Sequence, residues 1–165
     1  MIGSPLCSGL KRKYGAKFAC QGVGTNNGYP AAIGDNGKPK GTCEECITGA
    51  VKVFQSLHQK CPQAKFLFMG YSQGGALMAS AIPLLPADIK PLVIGGVLFG
   101  STRGTIAGYP KENWASFCSK DDRICNSRGT TGSTGSHLSY SSNGDAEKAI
   151  AFLGKRIDAS SGRAT

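Results

Sequence analysis

Residues 65–82 read KFLFMGYSQGGALMASAI, and this stretch decides the fold. Residues 65–69 are a continuous apolar run that predicts a strand buried on both faces, and residues 75–82 predict a helix. Between them, GYSQG at 70–74 is the G-x-S-x-G pattern of a sharp turn that presents a nucleophilic serine. We expect a side chain at Gly70 or Gly74 to collide with the neighbouring strand and helix. Because the chain has 24 glycines, the bare pattern arises easily by chance. Its strand–turn–helix context is what makes Ser72 the candidate nucleophile.

Outward from this stretch, the apolar pattern predicts two more strands and three more helices. The strands cover residues 92–99 and 114–118, and the helices cover residues 4–14, residues 42–60 and a last segment whose apolar face is Ala146, Ala149, Ile150, Leu153 and Ile157. Thr42 and Glu45 predict a capping box at the start of the second helix. Strands that alternate with helices indicate an α/β fold, a three-layer sandwich with a mainly parallel sheet and helices on both faces. We expect residues 1–158 to form a single domain and residues 159–165 a C-terminal tail.

Composition and motif spacing exclude several classes of protein. No apolar run approaches the roughly 18 residues of a membrane span, so we expect no stable membrane insertion. The net charge of +9 comes mostly from scattered basic residues, which argues against nucleic-acid binding. Cys43-x2-Cys46 lacks the second ligand pair of a zinc site, and no dinucleotide-binding or phosphate-loop motif is present, so we expect no metal and no cofactor. Seven cysteines in 165 residues indicate an oxidising compartment.

A nucleophilic serine needs a general base, and the chain has two histidines. His58 falls in the last turn of a predicted helix, where a partly cationic ring suits the helix dipole. His137 lies in a loop of Gly, Ser and Thr beyond all the predicted strands, where no core requires it. We therefore expect His137 to be the base.

The base in turn needs a carboxylate that fixes its tautomer, and this acid should follow a strand. Asp121 and Asp122 do so, in a short loop that Cys118 and Cys125 can close as a disulfide. A solvated Lys-Asp-Asp-Arg turn is the alternative interpretation of this segment. Asp88 is the other acid between the serine and the histidine, but it lies in a Pro-flanked segment rather than at a strand end.

Taken together, the sequence resembles the cutinase family of serine esterases, which are small single-domain α/β-hydrolases. The matching stretches are Gln21-Gly22-Val23-Gly24, Gly34-Asp35-Asn36, Lys60-Cys61-Pro62, Gly70-Tyr71-Ser72-Gln73-Gly74, Val97-Leu98-Phe99-Gly100, Cys118-x3-Asp122-x2-Cys125 and His137-Leu138-x-Tyr140. The resemblance implies that Asp122 is the catalytic acid, that the backbone N–H of Gln73 donates to the oxyanion, and that Asn36 supports the oxyanion site. It also implies a Cys7–Cys20 disulfide, while Cys43 and Cys46 can pair locally.

The resemblance also implies elements that this sequence does not contain. Family members begin with a disulfide cysteine, a central strand and a Ser or Thr that completes the oxyanion hole, all of which should precede Met1. Residues 1–20 carry no signal-peptide pattern. The missing cysteine is the usual partner of Cys61, which accounts for the odd cysteine count. We expect a secreted protein without the N-terminal strand, and the alternative is a catalytically impaired relative that acts as a secreted binding protein.

The expected activity is carboxylic-ester hydrolysis through an acyl-enzyme, carried out by a monomer with Ser72, His137 and Asp122. Substrates implied by the resemblance are cutin of the plant cuticle or related cell-wall and short-chain esters. Residues 126–136 are polar and glycine-rich where cutinases carry aliphatic side chains. Leu84, Leu85 and Leu138 remain as a candidate apolar wall. We therefore expect short acyl chains or acetyl esters to be preferred over long chains.

Overall fold

The computed structural model describes residues 2–125 and 132–162, and it shows an α/β fold. Its α-helices are α1 (Gly3–Tyr14), α2 (Glu44–Lys60), α3 (Gln73–Ala81) and α4 (Asp145–Ser160), and its strands are β1 (Phe66–Tyr71), β2 (Val93–Phe99) and β3 (Trp114–Phe117). Short 3₁₀ turns lie between them, among which Ile33–Gly37 concerns the site described below. The predicted elements are present with ends that shift by one or two residues. Helix α4 runs to Ser160, two residues into the predicted tail, whose residues 163–165 lie outside the described ranges.

The three strands form a parallel sheet in the order β1-β2-β3. The register pairs Tyr71 with Phe99 and Phe99 with Phe117, so the carboxyl ends of all three strands stand side by side. Whatever follows each strand therefore emerges at the same edge of the sheet, where parallel α/β sheets place their ligands.

Helices cover both faces of the sheet, as the strand–helix alternation predicts. On one face, α2 and α3 pack a large cluster that includes Ile47, Phe54, Phe68 and Leu77. On the other face, α1 and α4 pack a second cluster, which includes Leu6, Val97, Phe99, Tyr140 and Leu153. Burial of each such side chain contributes about 1.5–3 kcal/mol. The sheet therefore separates two apolar cores, and its carboxyl-terminal edge adjoins both.

Strand β1 departs from the expectation of burial on both faces. Its residues alternate between buried and half-buried, because Leu67 and Met69 on the α1/α4 face are only partly covered. Strand β2, in contrast, is buried along almost its whole length.

The predicted capping box at Thr42 and Glu45 is wrong, because Cys43 is the N-cap of α2. The Cys43 sulfur accepts the backbone N–H of Cys46 at 2.9 Å, and the same two residues form a disulfide. The cross-link therefore places a sulfur where the capping hydroxyl was expected. The Thr42 hydroxyl is buried instead and has no hydrogen-bond partner among the described residues.

All seven cysteines lie in the described ranges, and six of them are paired. The disulfides are Cys7–Cys20, Cys43–Cys46 and Cys118–Cys125. Cys61 is a free and exposed thiol. Within the described part of the chain, no helix is both long and apolar enough to cross a membrane.

Candidate active site

Ser72 occupies a strained turn between β1 and α3. Its backbone angles are φ 53° and ψ −121°, and among the described non-glycine residues only Ala31 also has a positive φ. Such a conformation costs about 1–3 kcal/mol and persists only where the surroundings enforce it. Here the Ser72 N–H donates to the carbonyl of Phe99 at 2.9 Å, and the Ser72 carbonyl accepts from the N–H of Gly75 at 2.9 Å. The turn therefore ties β1, β2 and α3 together at the serine.

Two crowded glycines flank this turn, but they are not the pair that the motif suggests. A Cβ at Gly70 would lie 2.6 Å from the Cα of Gly75 and closer still to the Gly74 carbonyl. A Cβ at Gly75 would lie 2.5 Å from the side chain of Ser101. At Gly74 the nearest atom would be the Tyr29 hydroxyl at 3.7 Å, an ordinary contact, so the expected collision at Gly74 is wrong. Position 74 is the second residue of α3 and is half-buried, whereas position 75 faces the loop that follows β2.

His137 and Asp122 form a hydrogen-bonded pair at the same edge of the sheet. His137 Nδ1 lies 2.8 Å from Asp122 Oδ2. The His137 ring stacks on the ring of Tyr71, with centroids 4.9 Å apart and planes at 26°. The Tyr71 hydroxyl also donates to the His137 carbonyl at 2.9 Å. Since Tyr71 immediately precedes Ser72, these contacts hold the histidine next to the serine-bearing turn.

Gly100 provides the close approach that the pair needs. This residue follows β2 with φ 54°, and a Cβ there would lie 2.7 Å from His137 ring atoms and 2.8 Å from Asp122 Oδ2. The preceding residue, Phe99, carries the carbonyl that accepts from the N–H of Ser72. The backbone at the end of β2 thus contacts the serine turn on one side and the histidine–aspartate pair on the other.

Asp122 is 3% exposed, and donors surround its carboxylate. Oδ1 accepts from the N–H of Ile124 at 2.8 Å, and Oδ2 accepts from both His137 and the hydroxyl of Tyr140. Burial by itself would raise the pKa of Asp122, but hydrogen bonds from Tyr140, His137 and Ile124 outweigh it and hold the pKa below its usual value. The folded surroundings of Asp122 therefore favour its ionised form.

The other candidates for the catalytic acid and base lie away from the serine turn or face solvent. Asp121 is exposed whereas Asp122 is buried, and this difference distinguishes the two acids. His58 Nε2 lies 3.7 Å from an oxygen of the exposed Asp88, in the last turn of the helix that leads into the start of β1. His58 and Asp88 therefore contact each other rather than Ser72.

Gln73 and Asn36 lie against each other beside the serine turn. Gln73 is the first residue of α3, so its backbone N–H belongs to the first turn, which has no acceptor within the helix. Its side-chain Nε2 donates to the carbonyl of Ala32 at 2.8 Å and to Asn36 Oδ1 at 3.1 Å. The 3₁₀ turn that carries Asn36 is thereby fastened to the start of α3.

A buried polar network holds the loop that carries His137. Asp145, at the start of α4, is fully buried and accepts from the N–H and hydroxyl of Ser133 and from the side-chain amide of Asn143. The same Asn143 amide donates to the hydroxyl of Ser119, just beyond β3, at 3.0 Å. The loop is thus fixed both to α4 and to the segment that bears Asp122.

The candidate apolar wall is smaller than expected. Leu85 is 3% exposed and belongs to the core formed with α2 and α3, so it is not available to a substrate. Leu84 and Leu138 are exposed, and Leu138, next to His137, is 81% exposed. Residues 126–131 of the predicted polar segment lie outside the described ranges.

In the described ranges, one group of side chains brings metal-ligating atoms together, and its chemistry does not fit a metal ion. Asp35, Cys43 and Cys46 lie close together, but the two sulfurs are joined as a disulfide and Asp35 pairs with Lys38 at 2.8 Å. A disulfide has no thiolate to offer a metal ion. The chemistry that the described side chains support is that of a serine, an imidazole and a buried carboxylate.

Tyr71, Gly100 and Tyr140 make contacts in the site that no sequence pattern predicts. All three lie within the matching stretches, but their contacts with His137 and Asp122 arise only when the ends of β1 and β2 and the His137 loop meet. The sequence marks these three residues only by their position, which is one to three residues from a candidate site residue or at the end of a strand.

Comparisons of the sequence identify its relatives. A family model described as Cutinase matches residues 1–157. "Probable cutinase 1" of Aspergillus niger is 39% identical over 166 residues, which cover 97% of this chain and 61% of that protein. "Cutinase 3" of Emericella nidulans is 41% identical, with 92% of this chain and 69% of that protein covered. The chain therefore spans about three fifths of the length of the first of these relatives.

Comparison of the structure gives the same kind of neighbour. A Trichoderma reesei cutinase in complex with a phosphonate inhibitor is 26% identical with a TM-score of 0.74, covering 94% of this chain and 67% of that one. An acetylxylan esterase is 19% identical with a TM-score of 0.69, covering 93% of this chain and 89% of that one. At that identity the second likeness concerns the fold alone.

Proposed function

The chain belongs to the cutinase family, and on that premise we propose that it is a serine carboxylic-ester hydrolase that works through an acyl-enzyme. The observation that carries the proposal is the strained Ser72 turn at the edge of the sheet where the His137–Asp122 pair also lies. A nucleophile, a base and a carboxylate that orients the base are the parts that this chemistry needs.

In the proposed acylation, Ser72 Oγ attacks the ester carbonyl while His137 Nε2 takes the hydroxyl proton. Asp122 accepts the Nδ1–H of His137, which leaves Nε2 free as the base and stabilises the imidazolium that forms. The carbonyl oxygen becomes an oxyanion, which accepts from the backbone N–H of Gln73. Collapse of the tetrahedral intermediate breaks the bond to the alcohol oxygen, and the imidazolium gives its proton to the departing alcohol.

Deacylation repeats these steps with water as the nucleophile. His137 takes a proton from water, hydroxide adds to the acyl carbonyl, and the Ser72 oxygen leaves with the proton that the imidazolium returns. The products are a carboxylic acid and free enzyme. The hydrogen bonds from Gln73 to Asn36 and Ala32 would keep the oxyanion donor in place during both halves of the reaction.

For the substrate, we propose cutin or related cell-wall esters, with short acyl chains or acetyl groups preferred. The relatives named as cutinases support the first part. The second part is supported by the burial of Leu85 in the core, which removes this side chain from the candidate apolar wall, and by the polar sequence of residues 126–136. The three disulfides fit a secreted enzyme.

The test is hydrolysis of p-nitrophenyl acetate, butyrate, octanoate and palmitate by the purified chain. We expect turnover to fall with acyl length, and Ser72→Ala to lower kcat by about 10⁴-fold or more. Ser80→Ala, in the last turn of α3, is the matched control and should leave the rate unchanged. Labelling with an alkyl phosphonate should add one equivalent of mass to the wild type and none to Ser72→Ala.

Two results would count against the proposal. A well-folded wild type that neither hydrolyses any of these esters nor takes up the phosphonate would contradict the esterase activity. Equal turnover of the short and long esters would contradict the proposed acyl preference alone.

A further inference from the structure

We propose that Tyr140 is a positioning residue for the catalytic acid: its hydroxyl fixes the Asp122 carboxylate by donating to the same carboxylate oxygen as His137, an oxygen that otherwise has His137 as its donor. This inference rests on the proposed function, in which Asp122 orients His137. Tyr140 is 1% exposed, and its hydroxyl donates to Asp122 Oδ2 at 2.5 Å. The same oxygen accepts from His137 Nδ1 at 2.8 Å, so one carboxylate oxygen serves both donors.

A second hydrogen bond fixes the direction of the Tyr140 hydroxyl. The N–H of Ser119, two residues beyond β3, donates to the Tyr140 oxygen at 3.0 Å. With its lone pair engaged in this way, the hydroxyl directs its proton to Asp122, and each bond in such a chain strengthens the next. Burial, and after it the hydrogen bond to Asp122, raise the pKa of Tyr140, while the Ser119 contact opposes this rise. The phenol therefore stays protonated and remains a donor.

The ring of Tyr140 is held independently of its hydroxyl. It packs edge-on against Phe99, with ring centroids 5.6 Å apart, and against Tyr71 at 6.1 Å. Because these contacts involve the ring alone, a phenylalanine at position 140 would preserve them. Removal of the hydroxyl can therefore be separated from removal of the packing.

The titratable groups that face the pair come from three elements and are few. Tyr71 from β1 stacks on the imidazole, Asp122 follows β3, and Tyr140 comes from the loop that precedes α4. Burial, and after it the charge of Asp122, raise the pKa of Tyr71, so that this group also stays neutral. Asp122 thus supplies the one negative charge that the described residues place against His137.

Loss of the Tyr140 hydroxyl has two separable consequences. The carboxylate loses one of three donors, so its orientation is less fixed and the step in which it orients His137 slows. Its charge also falls more fully on His137, which favours the imidazolium over the neutral base. A side chain that only fills space would produce neither a selective fall in kcat nor a displaced pH profile.

The experiment compares Tyr140→Phe with the wild type in the p-nitrophenyl butyrate assay between pH 5 and 9. We expect kcat to fall by about tenfold with KM within about twofold, and the acidic limb of kcat/KM to move to higher pH by about half a unit. Tyr109→Phe is the matched control, since Tyr109 is half-buried and its hydroxyl donates to the Val93 carbonyl at 2.9 Å at the far end of β2. That control should leave both quantities unchanged.

A second measurement does not depend on activity. The imidazole proton signal of His137 can be titrated by NMR in each variant and told from that of His58 by the His58→Gln variant. We expect the midpoint of the His137 titration in Tyr140→Phe to lie at higher pH than in the wild type. Incorporation of 3-fluorotyrosine in place of Tyr140 keeps the ring and strengthens the donor, so that it should move the midpoint to lower pH even if Tyr140→Phe folds poorly.

The outcomes separate this proposal from the esterase proposal. A wild type without activity but with the expected NMR displacements would overturn the esterase and keep the Tyr140–Asp122–His137 coupling. Unchanged midpoints in both position-140 variants would overturn the role of Tyr140, whatever the activity. An equal fall of kcat in Tyr109→Phe would show that loss of any hydrogen-bonded tyrosine hydroxyl has this effect, and would also overturn the role of Tyr140.

Discussion

At the scale of single residues, Asp122 shows how a charge is kept inside the molecule. Burying an isolated carboxylate is costly, and such a group is tolerated when it is paired and hydrogen-bonded. Each oxygen of Asp122 has at least one donor, from the Ile124 backbone on one side and from His137 and Tyr140 on the other. These donors stabilise the ionised form more than burial opposes it, and the folded state therefore favours the anion.

This preference predicts a pH dependence of stability. Because the folded pKa of Asp122 lies below its value of about 3.9 in an unfolded chain, the stabilisation is complete above that pH. It is lost as the pH falls from there through the folded pKa. We expect the free energy of unfolding in urea to drop more steeply between pH 5 and pH 2.5 in the wild type than in Asp122→Asn. Asp88→Asn, at an exposed position, should behave like the wild type, and parallel curves for the wild type and Asp122→Asn would contradict the prediction.

At the scale of elements, the junction of β1 with α3 depends on two glycines for steric reasons. The helix starts so close to the strand that the backbone at positions 74 and 75 occupies the space of a Cβ at Gly70. Gly75 in turn packs against Ser101 in the loop after β2. The strained serine is therefore part of a rigid three-way contact between β1, α3 and the end of β2.

We predict opposite results for alanine at neighbouring positions of this junction. Gly70→Ala and Gly75→Ala should each cost about 1–3 kcal/mol in the free energy of unfolding and abolish ester hydrolysis, because the obstructing atoms include backbone that cannot move aside. Gly74→Ala has room and lies in a helix, so it should fold with stability within about 1 kcal/mol of the wild type. Urea unfolding together with the p-nitrophenyl butyrate assay checks all three. A destabilised Gly74→Ala with a tolerant Gly70→Ala would refute this account.

The sequence predicts the helices and strands well, because local apolar patterns determine them. It predicts caps and site contacts less well, because these depend on residues that are distant in the sequence or joined by a cross-link. The apolar periodicity of α2 and the run in β1 suffice to find both elements. The cap of α2 is missed because a cross-linked sulfur, rather than a hydroxyl, accepts the N–H of Cys46 in the first turn. Burial separates Asp122 from Asp121, and only family spacing could anticipate that choice. The contacts of Tyr71, Gly100 and Tyr140 require the strand ends to be placed in space, which no local pattern records.

At the scale of the whole molecule, the candidate site lies at the edge of the sheet that adjoins both layers of helices. Ser72 and Gln73 begin α3, which packs in one core, whereas the loop with His137 leads into α4, which packs in the other. The three parallel strands are the common frame for both. The geometry of the site therefore depends on both cores at once.

The cysteine pattern gives a prediction for the molecule as a whole. Since three disulfides take six of the seven cysteines, Ellman's reagent should titrate one thiol per chain. That thiol is Cys61, which is exposed, so the count should be the same in buffer and in denaturant. Cys61→Ser should give a count of zero. More than one thiol in denaturant without reductant would mean that one of the disulfides does not form.

The disulfides also decide what holds the chain together once it is cut. Their sequence separations are 13, 3 and 7 residues, so each cross-link returns to its own neighbourhood. A protease that cleaves at the exposed Ala107 or Gly108 would leave two fragments with no covalent bond between them. One fragment would carry the serine and the other the aspartate and the histidine. Until the fold itself opens, such a nicked molecule would be held together by its sheet and its two cores alone.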